Sequence, residues 1–166
     1  MNDSVLVPAY VGLGSNLDDP AMQLRRAFDA LRALPRTRLV ARSALYQNPP
    51  MGPAEQPDYV NAVAGLLTAL APDALLAALQ AIEDRHGRRR DGSRWGPRVL
   101  DLDLLLYGDR RLQTETLTLP HPGLAERAFV LWPLAEIAPE LRLPGGARVA
   151  SLAAALGNAD LRRLDD

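Results

Sequence analysis

The chain of 166 residues contains no cysteine and no lysine, and its only histidines are His86 and His121. Without cysteine the protein has no disulfide, no thiolate nucleophile and no cysteine-based zinc site, and two histidines argue against a multi-histidine metal centre. Without lysine it has neither a Walker A lysine nor a Schiff base. All 19 cationic side chains are arginines, so any phosphate must be bound by arginine, backbone amides or a metal ion.

Signals for membranes and nucleic acids are also missing. No apolar run approaches the length of a membrane span, and the N-terminal Met-Asn-Asp-Ser lacks the basic region of a secretion signal. The formal net charge of -1 gives no general reason to expect nucleic acid or an anionic membrane as a partner. We therefore expect a cytoplasmic protein that binds neither nucleic acid nor a membrane, with residues 1–166 forming a single domain. We also expect it to be a monomer.

The segment from Arg94 to Tyr107 concentrates the most chemistry. Its last nine residues are apolar except for Asp101 and Asp103, and glycines flank the run on both sides, which is typical of a buried strand. Alternate side chains of a strand share a face, so the two aspartates point the same way with Cβ atoms about 7 Å apart. The opposite face is predicted to join the core through Leu100, Leu102, Leu104 and Leu106.

Two carboxylates this close repel each other unless a cation relieves the repulsion. Magnesium prefers oxygen ligands and is usually held by one or two carboxylates plus substrate phosphates. Asp101 and Asp103 therefore predict a magnesium-nucleotide site, and Arg94 and Arg98 directly upstream are candidate phosphate ligands. The alternative is a solvated pair at the end of a strand.

The remaining pattern predicts an α+β fold. Strands are predicted over residues 8–13, 39–46 and 58–67, one helix begins at Pro20 behind the cap residue Asp19, and further helices cover 72–86 and 151–156. With the acidic strand, the order is strand, helix, strand, strand, helix, strand. This order favours a ferredoxin-like antiparallel sheet (βαββαβ) with packed helices and a C-terminal helical extension.

Three further segments are candidates for a site. Tyr59 and Asn61 share a strand face and could bind a flat heterocycle, although spacing alone favours a sheet-end tyrosine and a loop-bonding asparagine. Gln80 and Glu83 border the buried stripe of the second helix and could reach over the sheet. The run from Arg88 to Trp95 is rich in arginine and leads into the acidic strand, which favours a phosphate-binding lid over a solvated surface.

The acidic strand and the residues before it, Arg94-Trp-Gly-Pro-Arg98-Val-Leu-Asp101-Leu-Asp103-Leu-Leu, resemble the signature of a known family. That family is the 6-hydroxymethyl-7,8-dihydropterin pyrophosphokinases of folate biosynthesis. Further matches follow the same order over roughly residues 9–144: Gly12-x-Gly14-Ser-Asn16, Pro49-Pro-Met51-Gly-Pro53, Gln56-Pro-Asp-Tyr59-x-Asn61, Pro120-His121-Pro122 and Arg127-x-Phe129-Val-Leu-x-Pro133-Leu. Agreement over several independent loops is poorly explained by chance.

The resemblance implies transfer of the pyrophosphoryl group of ATP to the hydroxymethyl oxygen of a reduced pterin, with release of AMP. ATP would be the co-substrate, and Asp101 and Asp103 would hold two magnesium ions. The positions matched to the nucleotide and its phosphates are Leu76, Gln80, Glu83, Arg88, Arg90, Trp95, Arg98, His121 and Arg127. Arg88 and Arg98 would join the two aspartates as catalytic residues. The positions matched to the pterin are Gly14, Asn48, Met51, Tyr59, Asn61 and Phe129.

Two residues depart from the family pattern. Asn48 stands where threonine is usual, which is compatible with a contact made through the backbone, and Asp91 stands in the lid where a basic residue is common. Two other functions also fit the residues. One is a different magnesium-dependent nucleotidyl transferase, which would release pyrophosphate, and the other is a non-catalytic ferredoxin-like domain that binds a small effector.

Overall fold

The structure is a computed structural model that describes residues 5–49, 56–86 and 99–164, and these residues form an antiparallel sheet and four α-helices. The strands are β1 (Val7–Ser15), β2 (Thr37–Arg42), β3 (Tyr46–Asn48), β4 (Tyr59–Thr68), β5 (Asp101–Tyr107), β6 (Leu112–Gln113), β7 (Thr118–Leu119) and β8 (Arg162–Arg163). The helices are α1 (Pro20–Arg32), α2 (Pro72–Arg85), α3 (Ala128–Ile137) and α4 (Val149–Leu156), with a 3-10 turn at Leu124–Glu126. None of the helices in these described ranges has the length and apolar character needed to cross a membrane.

The main sheet has the strand order β5-β1-β4-β3-β8, and β2 pairs with β4 beside β3. Every pairing is antiparallel. β6 and β7 form a separate two-stranded hairpin. The predicted α+β class with an antiparallel sheet is confirmed.

The strand predicted over residues 39–46 is wrong as a single element, because it is divided into β2 and β3. Ser43 lies at the break, where its backbone N–H donates to Val63 O and its hydroxyl accepts from Val63 N, both over 2.9 Å. The side chain of Ser43 thus replaces the carbonyl that a continuous ladder would have used.

Helices cover both faces of the sheet. α1 begins as predicted, since the Asp19 carboxylate accepts from Met22 N over 3.4 Å and Pro20 occupies the first turn. α1 and α2 pack on one face through fully buried residues: Leu24, Phe28, Leu31, Leu75, Leu79 and Ile82. α3 and α4 cover the other face through a second cluster that includes Val63, Leu105, Leu131, Leu134 and Val149.

A β-bulge in β5 changes which of its side chains share a face, and this differs from the prediction. β1 pairs Tyr10 with Leu106 but Val11 with Leu104, so Leu105 is an extra residue in the ladder. Leu105 and Leu106 therefore both join the cluster under α3, and the expectation that Leu106 shares a face with Leu104 was wrong. The two aspartates precede the bulge, so their common face is unaffected.

Glu136 of α3 ties the helix to the break between β2 and β3. Its carboxylate accepts from Ala44 N over 3.1 Å and from the Tyr46 hydroxyl over 2.6 Å, and Arg163 of β8 lies 3.9 Å away. Burial raises the pKa of Tyr46 to about 12, with the hydrogen bond and the charge of Glu136 acting in the same direction and Arg163 acting against them. The folded protein therefore holds the phenol proton more tightly than a free tyrosine does.

This contact predicts a pH dependence of stability. Because the pKa of Tyr46 is raised from 10.0 to about 12 on folding, its contribution is fully present below pH 10 and is lost as the pH rises to about 12. We expect Tyr46→Phe to show a smaller decrease in the free energy of unfolding across this interval than the wild type, measured by urea denaturation. An identical decrease in both proteins would contradict the assignment.

Candidate active site

Three strands bring the acidic pair next to the residues matched to the pterin. Gly14 of β1 lies opposite Asp101 on β5 and opposite Asn61 on β4, so these residues form one row across the sheet. Asp103 lies opposite Gly12 in the next row. Partners in an antiparallel pair share a face, so the carboxylates and the Asn61 amide all belong to the face covered by α3.

The other pterin candidates on β3 and β4 lie in the next row of the same face. Asn48 pairs with Tyr59, and Tyr46 pairs with Asn61. Asn48 and Asn61 are buried, and Tyr59 is half-buried. The structure therefore brings Asn48, Tyr59 and Asn61 together beside Gly14.

Gly14 is required here by close approach. A Cβ atom at this position would lie 2.8 Å from Asn61 Oδ1 and 3.7 Å from Tyr59 Cδ1. Any side chain would displace the Asn61 amide and fill the floor between it and Asp101. The absence of a side chain leaves this floor accessible to a ligand.

Asp103, His121 and Arg127 form the second half of the site. His121 Nε2 lies 3.8 Å from Asp103 Oδ2, and the side chains are 22% and 48% exposed, respectively. Arg127 precedes α3, and its guanidinium carbon lies 5.9 Å from the centre of the Phe129 ring. Phe129 itself is half-buried at the start of α3. An anion that enters this corner would meet an imidazole and a guanidinium beside the carboxylate.

The orientation of the His121 ring is set by its own turn. Gly123 N donates to Nδ1 over 3.2 Å, so Nδ1 is the acceptor and Nε2 carries the hydrogen that faces Asp103. Burial lowers the pKa of His121, the charge of Asp103 opposes this, and Arg127 lowers the pKa further. The ring can donate a hydrogen bond toward the acidic strand without carrying a proton on both nitrogens.

The residues predicted on α2 occupy two different environments. Gln80 is exposed, whereas Glu83 is only 2% exposed, and its Oε2 accepts from Leu102 N over 2.7 Å. Leu102 lies between the two aspartates, so Glu83 satisfies an amide on the outer edge of β5. The sequence placed Glu83 at the border of the buried stripe, but the structure places it inside.

A cavity of about 270 Å³ opens beside β5. Leu76 of α2 forms one wall, and Leu102, Asp103 and Leu104 form the floor. The rest of its lining is supplied by residues 114–118, His121 and Pro122. Sequence reasoning missed the threonine-rich turn between β6 and β7 as a wall, because only the sheet topology shows that this hairpin folds back over β5.

The acidic pair fits a magnesium ion that is shared with a phosphate. Within the described ranges no three His, Cys, Asp or Glu residues gather closely enough to enclose a metal. Magnesium needs no such cage, because it is commonly bound by one or two carboxylates and completed by phosphate oxygens and water. Asp101 is half-buried and Asp103 is 48% exposed, so both can supply oxygen ligands to an ion at the surface of the sheet.

Several predicted residues lie outside the described residues. They are Met51, Arg88, Arg90, Trp95 and Arg98, together with the remainder of the arginine-rich segment. Their roles stay predictions.

Comparison with known proteins identifies relatives along most of the chain. The family model described as 7,8-dihydro-6-hydroxymethylpterin-pyrophosphokinase matches residues 10–139. A 2-amino-4-hydroxy-6-hydroxymethyldihydropteridine pyrophosphokinase from Pseudomonas aeruginosa is 55% identical over 155 residues, covering 93% of this chain and 95% of that protein. The protein of the same name from Haemophilus influenzae is 49% identical over 147 residues, covering 89% and 91%.

Solved structures show a similar fold. The chain matches the crystal structure of wild-type Plasmodium falciparum HPPK-DHPS with pteroate with a TM-score of 0.77 and 12% identity. The match covers 98% of this chain and 46% of that one, so this chain spans about half the length of that protein. At this identity the likeness concerns the fold.

Glu83 provides a test of how the acidic strand is held. Glu83→Ala should lower the free energy of unfolding by about 2 kcal/mol, because it leaves the buried Leu102 N–H without its acceptor. Glu83→Gln, which keeps an acceptor oxygen, should lose less. Urea denaturation would measure both variants.

The matched control is Gln80→Ala, which changes an exposed residue one turn earlier and should cost no more than about 0.5 kcal/mol. Wild-type stability in Glu83→Ala would contradict the role of this hydrogen bond.

Proposed function

The chain belongs to the 7,8-dihydro-6-hydroxymethylpterin-pyrophosphokinase family, and from this premise we propose how its residues carry out the family's reaction. The protein is an ATP-dependent pyrophosphokinase of folate biosynthesis. It transfers the pyrophosphoryl group of ATP to the hydroxymethyl oxygen of 6-hydroxymethyl-7,8-dihydropterin and releases AMP. The match to relatives at up to 55% identity over nearly the whole chain carries this conclusion.

The nucleotide is assigned to the corner between α2, β5 and the β6–β7 hairpin. The cavity there has an apolar wall at Leu76 and ends at Asp103 and His121. This arrangement suits a nucleoside whose base lies against apolar side chains while its phosphates extend toward the aspartates. Gln80 lies exposed on the neighbouring turn of α2, where it can contact the nucleotide from outside. Glu83 stabilises β5 at this corner, because its carboxylate accepts a hydrogen bond from Leu102 N.

His121 and Arg127 are assigned to the phosphates. The hydrogen on His121 Nε2 points toward the acidic strand, and Arg127 is close enough to lower the pKa of the ring. Transfer of a phosphoryl-type group depends chiefly on alignment and on stabilisation of charge. A donor imidazole and a guanidinium on one side of the phosphates serve both needs. Arg88, Arg90 and Arg98 would add charge from the arginine-rich segment, and Trp95 would contact the nucleotide.

Asp101 and Asp103 are assigned to magnesium, and the number proposed is two ions. When bound, magnesium neutralises phosphate charge and orients the reacting groups. The protein contributes a rigid strand whose register fixes both carboxylates on one face. The exposure of Asp103 leaves room for phosphate oxygens beside it.

The pterin is assigned to the floor over Gly14. Asn61 offers an amide at the side of this floor, and Tyr59 and Phe129 are half-buried aromatic residues that can cover the two faces of a flat ring. The backbone of Asn48 and Met51 would contact the edge of the ring. In this position the hydroxymethyl arm would extend toward Asp101, at the phosphate side of the row.

The detailed topology of the sheet is compatible with the proposed function. We propose that the order β5-β1-β4 followed by β2 and β3 is a ferredoxin-like arrangement, to which α4 and β8 add a C-terminal extension. We propose that residues 1–166 act as one domain and as a monomer, because the acidic pair and the pterin candidates all come from one sheet. A cytoplasmic location would give the enzyme its ATP.

The identity of the nucleotide product tests the function and the metal assignment together. Wild-type protein incubated with ATP, magnesium and 6-hydroxymethyl-7,8-dihydropterin should yield AMP, detected by chromatography. Asp101→Ala and Asp103→Ala should each reduce the rate by about a thousandfold or more, because they remove ligands of the metal that stabilises the transferred charge. Both variants should stay folded, since Asp101 is half-buried and Asp103 is 48% exposed.

Asp109→Ala is the matched control, since Asp109 is an exposed aspartate just beyond the end of β5. It should keep the wild-type rate. Release of pyrophosphate would instead indicate a nucleotidyl transferase, and the absence of any nucleotide product would favour an effector-binding domain.

The aromatic pair predicts selective loss of pterin affinity. Tyr59→Ala and Phe129→Ala should each weaken pterin binding by about fivefold or more, because a stacked ring contributes on the order of 1 kcal/mol. Binding of a non-hydrolysable ATP analogue should be unchanged in Tyr59→Ala. Calorimetric titration of each ligand would measure this. Tyr46→Phe serves as the control, since the Tyr46 hydroxyl is bonded to Glu136, and equal losses for both ligands would contradict a pterin clamp.

A further inference from the structure

The side chains of Asn48 and Asn61 form a buried pair on the face of the sheet that carries Asp101. Each is 6% exposed, and Asn61 Nδ2 donates a hydrogen bond to Asn48 Oδ1. The register of β3 and β4 sets Asn48 opposite Tyr59 and Tyr46 opposite Asn61, so the two asparagines are diagonal neighbours. This side-chain contact goes beyond the backbone role expected of Asn48.

The direction of the hydrogen bond is fixed by the Pro49 carbonyl. A carbonyl oxygen can only accept, and Asn48 Nδ2 donates to Pro49 O over 3.1 Å. The amide of Asn48 therefore directs its oxygen toward Asn61, so Asn61 must donate the hydrogen bond from its nitrogen. Reversing the Asn61 amide would set two carbonyl oxygens against each other.

As a result, Asn61 Oδ1 faces the floor of the site. A Cβ atom built on Gly14 would lie 2.8 Å from this oxygen. Within residues 5–49, 56–86 and 99–164 no protein group donates to it, although the side chain is 6% exposed. Buried amide oxygens almost always have a donor, so this oxygen is an acceptor held ready for a ligand N–H.

We propose that Asn48 is a positioning residue for pterin specificity, which fixes the Asn61 amide so that its oxygen accepts an N–H from the edge of the ring. The inference rests on the proposed function, since it requires the pterin to lie over Gly14. The pyrimidine ring of the pterin carries N–H donors at its 2-amino group and at ring nitrogen N3, and one of these is assigned to Asn61. A ring with an acceptor at the same point would set that acceptor against the fixed oxygen of Asn61, and the repulsion would weaken its binding.

The test couples a change in the protein to a change in the ligand. Three ligands are titrated calorimetrically: the hydroxymethyl pterin, its analogue with oxygen in place of the 2-amino group, and its N3-methyl analogue. One of the two analogues lacks the donor that faces Asn61. Replacing the pterin by this analogue should reduce affinity in the wild type at least about fivefold more than in Asn48→Leu. In the variant the Asn61 amide is free to turn, so it no longer discriminates between the two ligands. Equal losses in both proteins, for both analogues, would overturn the proposal.

Two further variants separate positioning from a general effect on structure. Asn48→Asp keeps an oxygen facing Asn61 but loses the donor to Pro49 O, so it should retain the wild-type discrimination, whereas a role of Asn48 limited to the contact with Pro49 would be lost in this variant. Gln47→Ala changes the neighbouring residue of β3, whose side chain bonds Asp58 and Arg162. This variant should also retain the wild-type discrimination. Loss of discrimination in Gln47→Ala equal to that in Asn48→Leu would overturn the proposal.

Magnetic resonance of the wild type gives a measurement that needs no variant. The side-chain NH2 protons of Asn61 should show stronger Overhauser contacts with Asn48 than with the α protons of Gly14. Stronger contacts with Gly14 than with Asn48 would overturn the inference, even if Asn48→Leu did not fold. Failure of the wild type to bind pterin and form AMP would overturn the proposed function and this inference together, whereas normal AMP formation with unaltered discrimination in Asn48→Leu would overturn the inference alone.

Discussion

The antiparallel register of β5, β1 and β4 is the constraint on which the site depends. It places Asp101, Gly14 and Asn61 in one row and Asp103 and Gly12 in the next. A slip of one residue in either pairing would turn a full set of side chains to the opposite face. The carboxylates would then enter the core under α1 and α2, and the leucines of β5 would face the ligands. The hydrophobic pattern that builds the core thus also fixes the chemistry.

The outer edge of β5 explains why the acids can be both rigid and accessible. Among the strands of the described residues, β5 pairs only with β1, so its other edge presents backbone groups that need partners. Glu83 satisfies the amide of Leu102. The β6–β7 hairpin lies beside the rest of this edge, and a cavity separates the hairpin from β5. A central strand could not offer a ligand this access, because a neighbouring strand would occupy the same space.

The sequence allowed the prediction of features that follow from periodicity. The cap of α1, the buried stripe of α2, the common face of Asp101 and Asp103 and the α+β class all depend on local patterns. Features that arise where a side chain replaces a backbone group were missed. Ser43 breaks one predicted strand by bonding Val63 through its hydroxyl, and Glu83 turns inward to meet an amide whose position only the sheet defines. The bulge at Leu105 was also hidden, because every residue around it is apolar and no change in pattern marks it.

The row across the sheet also sets the distance between the two substrates. Asp101 and Asn61 lie two strands apart, which corresponds to about 10 Å. On the proposed assignment, a two-ring heterocycle held at one end by the Asn61 amide extends over Gly14, and its hydroxymethyl arm reaches the side of the row where the phosphates meet the aspartates. A side chain at position 14 would lift the ring away from this line, because its Cβ atom alone would lie 2.8 Å from Asn61 Oδ1. On this assignment the glycine that makes the floor flat would act on the transfer itself, since it would let the backbone of β1 serve as the fixed spacing between acceptor and donor.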